Sequence, residues 1–320
     1  MELGLGLQGN KRPEAYGRLA RVAEEGGFDV VSVFHDLFFQ PAIAPLLLIA
    51  QATERVRLGP AALNPFTLHP VEIAGQIAAL DAVSGGRAYL GLVRGTWLEE
   101  LRVERSRPVT ALREAVEVVR RLLAGDATGF EGSRFALPPG RTLQYDVVRR
   151  EVPLLIGAWA PRMAALGGEL AREVKIGGSA NPAMVGVMRR RIANDDVGIV
   201  VGAVTVVDSD RRAARRRARA EAALYLPVVA RLDPTLDAPP ELVRAVEERY
   251  SAGDRQGAGD LIPDELLDAF AFSGTPDDVV RQAERLFEAG AHRVEFGTPH
   301  GLTDEAGVEL LARRVAPHFR

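Results

Sequence analysis

At 320 residues the chain is 47% apolar and 26% charged with a net charge of −3, enough for a large core and with no electrostatic pull toward nucleic acid or an anionic membrane. Cysteine is absent, which excludes disulfides, thiolate metal sites and cysteine nucleophiles. No apolar run approaches the ~20 residues of a membrane span, and strand-type residues begin at Leu3 with no basic and apolar leader, so a cytoplasmic location is expected.

Leu3, Leu5 and Leu7 alternate with glycines in a first strand, and Pro13 opens a helix with Leu19, Val22 and Ala23 on one face, stopped by Gly26-Gly27. Val30 to Phe34 reads as a buried strand, followed by a helix over roughly 42–54. Arg55 to Leu63 is the third strand, and Pro70 starts a helix carrying Ile73, Ile77 and Leu80. Ser84-Gly85-Gly86 turns the chain into a fourth strand, Arg87 to Val93, and Pro108 begins a helix with Leu112, Val116, Val119 and Leu123 at helical spacing. Such alternation implies a parallel sheet.

Residues 125–152 contain Gly129, Gly132, Pro138, Pro139 and Gly140 and read as an insertion with room for a hairpin. The alternation resumes with a strand at Pro153–Gly157, a helix after Pro161, a strand at Val174–Gly177, a helix at Pro182–Ala193 and a long strand at Gly198–Val207. Arg211, Arg212, Arg215, Arg216, Arg217 and Arg219 then fall in an Ala/Arg helix, where they are expected to form a solvated face. The stretch 226–272 is rich in Pro, Asp and Gly and reads as a second insertion, irregular with one or two short helices. Thr275-Pro276 caps a helix, Arg293 to Phe296 is the eighth strand, and a last helix runs to the end. The expected fold is one (β/α)8 TIM barrel over 1–320, with a doubly wound open sheet as its rival.

Three segments go beyond fold. Leu58-Gly59-Pro60-Ala61-Ala62-Leu63-Asn64-Pro65-Phe66-Thr67-Leu68-His69-Pro70 leads to Ile77-Ala78-Ala79-Leu80-Asp81 and Ser84-Gly85-Gly86-Arg87. Arg107-Pro108 with its helix is followed by Val152-Pro153 and Gly157-Ala158-Trp159-Ala160-Pro161-Arg162-Met163, and Phe272-Ser273-Gly274-Thr275-Pro276 by Ala289-Gly290. In order and spacing these resemble the bacterial-luciferase-like superfamily, on the branch of methylenetetrahydromethanopterin reductase and other deazaflavin-dependent oxidoreductases, over nearly the whole chain.

The resemblance implies a homodimeric luciferase-like barrel that binds coenzyme F420, or alternatively FMN, non-covalently. It also implies a non-prolyl cis peptide at the end of strand 3, by position Ala61–Ala62, with Asn64 just beyond it. Gly95 and Thr96 after strand 4, and Ala158, Trp159 and Ala160 after strand 5, are then expected to offer backbone N–H groups to the cofactor phosphate, as suits a helix N-terminus. Relatives carry Asp-His at the end of strand 2 where this chain has His35-Asp36, and His35 is expected to meet cofactor or substrate. Relatives often place an acidic residue where this chain has Thr96. A hydroxyl cannot serve as a carboxylic general acid, so Glu99, or Glu100 beside it, is the expected substitute. Arg94 either binds phosphate or obstructs the pocket. Trp159 and Trp97 are expected to cap the barrel or wall a flat ring, Trp97 on the substrate side.

No close His/Asp/Glu set has ligand spacing, so no metal is expected. The implied activity is hydride transfer between coenzyme F420 and a small molecule. The alternatives are an FMN-dependent monooxygenase and a degenerate relative that binds without turnover. A fourth reading rests on Lys175, which lies on the sixth strand where barrel aldolases can place a Schiff-base lysine. It requires that Lys175, and not the pair Val174 and Ile176, face inward.

Overall fold

The computed structural model describes residues 1–96 and 98–320. Eight parallel strands are present: β1 (Glu2–Leu7), β2 (Val30–Val33), β3 (Arg57–Pro60), β4 (Leu90–Leu92), β5 (Leu154–Gly157), β6 (Glu173–Gly177), β7 (Gly198–Val207) and β8 (Arg293–His300). They pair in the order β3-β2-β1-β8-β7-β6-β5-β4, and the bridges Leu58–Ala88 and Leu63–Leu92 join β3 to β4. The sheet therefore closes into a TIM barrel, and the open-sheet alternative is excluded. Strands 3 and 4 are shorter than the expected Arg55–Leu63 and Arg87–Val93, because beyond Pro60 and around Ala88 the pairing thins to those single bridges.

Helices α1 (Pro13–Gly26), α2 (Ile43–Ala52), α3 (Pro70–Ser84), α4 (Pro108–Ala124), α5 (Pro161–Leu170), α6 (Pro182–Ile192) and α7 (Arg211–Val229) surround the strands. Five of them, α1 and α3 to α6, begin with proline in the first turn, where its missing N–H would have had no intrahelical partner. The main core lies between strands and helices, where Leu3, Leu5, Leu7, Val174, Ile176 and Ile199 are buried. Alternate positions face the barrel axis, and there the side chains include Ser32, Tyr89, Lys175 and Glu295.

Within 125–152 a two-stranded antiparallel hairpin pairs Phe130–Glu131 with Ala136–Leu137. It is fastened to the barrel by two charged groups. The Glu114 carboxylate accepts the N–H groups of Ser133, Arg134 and Phe135 at 2.8, 2.8 and 3.0 Å. Arg149 grips the fully buried carboxylate of Asp81 and also donates to Ala88 O at 2.6 Å.

The second insertion is more regular than its composition suggests. Three helices, α8 (Pro240–Ser251), α9 (Arg255–Asp260) and α10 (Asp264–Phe270), pack on α7 around a separate apolar cluster that includes Ala218, Leu226, Val246, Leu267 and Phe270. A short strand, Ala271–Gly274, then pairs in parallel with the outer half of β7, from Val204 to Val207. Helices this short show too little of the 3.6-residue period to stand out from turn residues. The arginine run also departs from a purely solvated face. Arg215 is 7% exposed and ion-pairs with Asp264 and Asp268, because one face of α7 is covered by α10. Helix α11 (Pro276–Glu288) opens with a Thr275/Asp278 capping box. The last helix, α12 (Asp304–Leu310), loosens into a π turn and a 3-10 turn before the end. No described helix is long and apolar enough to cross a membrane.

Candidate cofactor cleft

A cleft of about 360 Å³ opens at the C-terminal ends of the strands, the end at which barrel enzymes assemble their sites from βα loops. Its lining includes small groups, Ala61, Ala62, Gly157, Ala158 and Gly177, which leave a flat ligand room against the backbone. The Ala61–Ala62 peptide is cis, as the resemblance implies. Asn64 is 4% exposed, and its Oδ1 accepts from the N–H groups of Phe66 and Thr67 and from the Thr67 hydroxyl at 3.0–3.1 Å. That turn consumes the acceptor and leaves the Nδ2 amide as the group able to donate.

The loops after β4 and β5 meet at the rim. Gly95 has φ +78°, and a β-carbon there would come 3.3 Å from Asn64 Cγ, so the position takes only glycine without rearrangement. Arg105 Nη1 donates to Gly95 O at 3.1 Å and holds this loop from outside. Among the described residues, the N–H groups of Gly95, Thr96, Trp159 and Ala160 make no hydrogen bond. Ala160 is also the N-cap of α5 and contributes no side-chain cap. These amides, beside the positive end of a helix, form an anion cradle of the kind that suits a phosphate. Arg94 is exposed and lines the same cleft.

Trp159 lines the cleft, pinned by its indole N–H to Gly177 O at 3.2 Å and through its own carbonyl by Arg191 at 2.7 Å. His35 also lines it. The His35 Nδ1 accepts the Ala42 N–H at 3.2 Å, and burial lowers its pKa against the opposing pull of Asp36. At neutral pH the ring is therefore uncharged and carries its hydrogen on Nε2. Ala61, Ala62, Asn64, Gly95, Thr96, Ala158, Trp159, Ala160 and His35 all border this one cleft. Ala158 does not offer the expected free amide, because its N–H donates to Lys175 O at 3.0 Å as the last bond between β5 and β6.

Glu99 does not. It sits on the outer side of a 3-10 turn, Leu98–Leu101, with its side chain 61% exposed and its carboxylate paired with Arg105. Its role is to brace the arginine that holds the Gly95 loop. Trp97 lies outside the described residues.

Two parts of the cleft were not assembled from the sequence, which named Lys175 only as a candidate Schiff-base lysine and gave it no partner. Its floor carries an ion pair between Lys175 and Glu295, and the second Glu295 oxygen accepts from Ser32 Oγ at 2.7 Å, with Tyr89 OH 2.7 Å from that hydroxyl. Burial would raise the Glu295 pKa, but Lys175 and Arg293 outweigh it and hold the carboxyl below its ordinary range. Lys175 is thus the inward residue of β6, and Val174 and Ile176 face the helices. Its signal was only a charge at an inward position of an apolar strand. The other part is a wall from α7, where Tyr225, Val228 and Val229 line the cleft. Burial and the nearby Asp36 raise the Tyr225 pKa, so its phenol stays neutral and able to donate. At the opposite end of the barrel, the fold brings ligand atoms of Glu2 on β1, Glu173 on β6 and His292 just before β8 within 4.8 Å of one another, which no sequence spacing could reveal. There Arg57 pairs with Glu2, and Arg293 with Glu173 at 3.2 Å.

The chain is 30% identical to the 5,10-methylenetetrahydromethanopterin reductase of Archaeoglobus fulgidus, with 94% of each chain covered. It is 27% identical to an F420-dependent glucose-6-phosphate dehydrogenase of Rhodococcus erythropolis, covering 100% of this chain and 98% of that one. The solved structure of the coenzyme F420-dependent tetrahydromethanopterin reductase from Methanopyrus kandleri superposes with a TM-score of 0.89 at 25% identity, covering 100% of this chain and 99% of that one. Residues 2–293 match the luciferase-like monooxygenase family, and the chain belongs to it.

Proposed function

We propose that the protein is an oxidoreductase that moves a hydride between coenzyme F420 and a small-molecule substrate. The observation that carries this reading is the convergence of the free N–H groups of Gly95, Thr96, Trp159 and Ala160 on one cleft beside the small-residue wall of Ala61 and Ala62. That set fits an anionic tail attached to a flat ring, and two of the relatives named above, the dehydrogenase of Rhodococcus erythropolis and the reductase of Methanopyrus kandleri, are F420-dependent. When bound, the ring supplies the hydride chemistry, and the protein supplies binding, orientation and electrostatics. In this reading the amides of the two loops and the α5 N-terminus hold the phosphate, and the Asn64 amide and Trp159 border the ring. His35 offers its Nε2–H, and the α7 wall of Tyr225, Val228 and Val229 keeps water away. The relatives' substrates are not carried over, because the cleft's cationic lining is limited to Arg94 and the already paired Lys175 among the described residues.

The test is titration of the purified protein with coenzyme F420 and with FMN, followed by absorbance and fluorescence. Tight binding of F420 alone supports the reading. Preference for FMN favours the monooxygenase alternative that the family's name keeps open. Binding without turnover of any substrate favours the degenerate one. An intracellular homodimer belongs to the same reading, with sedimentation velocity as its check.

A further inference from the structure

The Lys175–Glu295 pair is not explained by the needs of the barrel. A buried ion pair is usually no better for stability than apolar residues of similar volume, because two desolvation penalties oppose the attraction. Here the interior is shaped around it. A β-carbon on Gly6 would come 3.2 Å from Glu295 Oε1, one on Gly4 would come 3.0 Å from Glu295 Cγ, and one on Gly202 would come 3.1 Å from Lys175 Cε. Gly4 and Gly202 therefore make room for these two side chains, and Gly6 makes room first for Phe34, whose Cζ would lie 2.5 Å from a β-carbon there, and then for Glu295.

The choice of cation is also specific. Of the 40 basic residues in the chain, only Lys11 and Lys175 are lysine. The space beside Gly202 admits a slender stem, and the planar fork of an arginine is broader. An ammonium has three N–H donors. One goes to Glu295, and the Phe34 ring lies beneath the nitrogen at 5.1 Å from its centroid. No other acceptor takes Lys175 among the described residues, and the residue lines the cleft with its side chain 10% exposed.

We propose that Lys175 is a binding and positioning residue that donates a charged hydrogen bond to a carbonyl oxygen of the ring system bound in the cleft. The ligand chemistry is a planar ring ending in a pyrimidinedione, which deazaflavin and flavin share. Glu295 and Ser32 fix the ammonium in place. A fixed cation at that point stabilises negative charge that hydride transfer delivers nearby. This inference rests on the proposed cofactor reading and assigns that site a residue.

Because the chain has two lysines, selective isotope labelling of lysine gives two side-chain NMR signals, assigned with Lys11→Arg. Lys11 is bound to Asp304 by a 2.6 Å ion pair and serves as the internal reference. Saturation with oxidised F420, or with FMN if that is what binds, should move the Lys175 signal and leave that of Lys11 in place. A Lys175 signal that stays put while fluorescence reports saturation overturns the inference and leaves the cofactor reading intact. If the parent binds neither cofactor, both fall. In a second arm, the double variant Lys175→Met, Glu295→Gln removes both charges of the pair, and the buried Arg293 keeps Glu173 at 3.2 Å. It should melt near the parent and bind the cofactor about tenfold more weakly, the loss expected for one charged hydrogen bond. An unchanged affinity in the folded variant also overturns the proposal.

Discussion

A β-carbon placed on Gly95 would stand 2.6 Å from Leu98 Cδ1, a separation that real carbon atoms do not adopt. Gly95 also holds φ +78°, so the loop after β4 is fixed both by backbone conformation and by contact with Leu98. Gly95→Ala should weaken cofactor binding at least tenfold by displacing the amides at 95 and 96, while costing about 1 kcal/mol in stability. Gly95→Asp should abolish binding, because it adds charge where the anionic tail is proposed to sit. Calorimetry with the deazaflavin coenzyme measures both, and parent-like affinity in Gly95→Asp would remove this loop from the site.

How legible the chain was depends on which end of the barrel is considered. The rim of the cleft could be read, because its residues directly follow strands with clear apolar runs, such as Leu154–Ile156 before Ala158 and Trp159. The span of β7, Gly198–Val207, was likewise plain from its β-branched residues, Ile199 to Val201 and Val204 to Val207, interrupted only by Gly202 and Ala203. The floor was half legible: Lys175 stood out as a charge on the sixth strand, but its partner Glu295 lies far away in sequence, next but one to the charged Arg293 on another strand. The placement of Glu99 failed for a different reason. One turn of chain separates it from Thr96, but that turn is 3-10 and carries its carboxylate outward to Arg105.

His35 provides a pH signature. Burial lowers its pKa below the ordinary 6.5, with Asp36 opposing, so the unfolded chain takes up a proton more readily than the folded one. Stability therefore rises with pH through this window and is lost as pH falls below about 6.5. His35→Asn should flatten the dependence of melting temperature on pH between about 5 and 7 relative to the parent. A variant whose curve parallels the parent's would show that the imidazole is not held neutral.

Asp304 acts at lower pH and with the same sign. Burial alone would raise its pKa, but His300 and Lys11 bring it down from 3.8 to about 2. The carboxylate thus contributes about 2 kcal/mol above pH 3.8, which is lost as pH falls toward 2. Asp304→Asn mimics the protonated form. Urea titrations should find it less stable than the parent at pH 7 by about that amount, with the gap closing in acid. A gap that stays constant down to pH 2 would assign the loss to something other than the charge.

The arginines of α7 divide into two kinds, and stability should separate them. Arg215 is buried, with Nη1 2.7 Å from Asp268 and Nη2 3.0 Å from Asp264, and it fastens α7 to α10. Arg212, three residues earlier, is exposed and makes no ion pair among the described residues. Removing one member of a buried pair leaves its partners without compensation. Here Asp264 and Asp268 are partly exposed, and Asp264 keeps Arg219, so water and that second cation soften the loss. Arg215→Met should therefore cost about 2 kcal/mol, less than a fully enclosed pair would, and Arg212→Met should stay within about 0.5 kcal/mol of the parent. Because α7 also supplies Tyr225, Val228 and Val229 to the cleft, loosening its seat should reach the site. Arg215→Met should raise the dissociation constant for the cofactor severalfold, and Arg212→Met should leave it unchanged. Equal urea midpoints for the two variants would mean that the Arg215 pairs carry no more weight than a solvated charge.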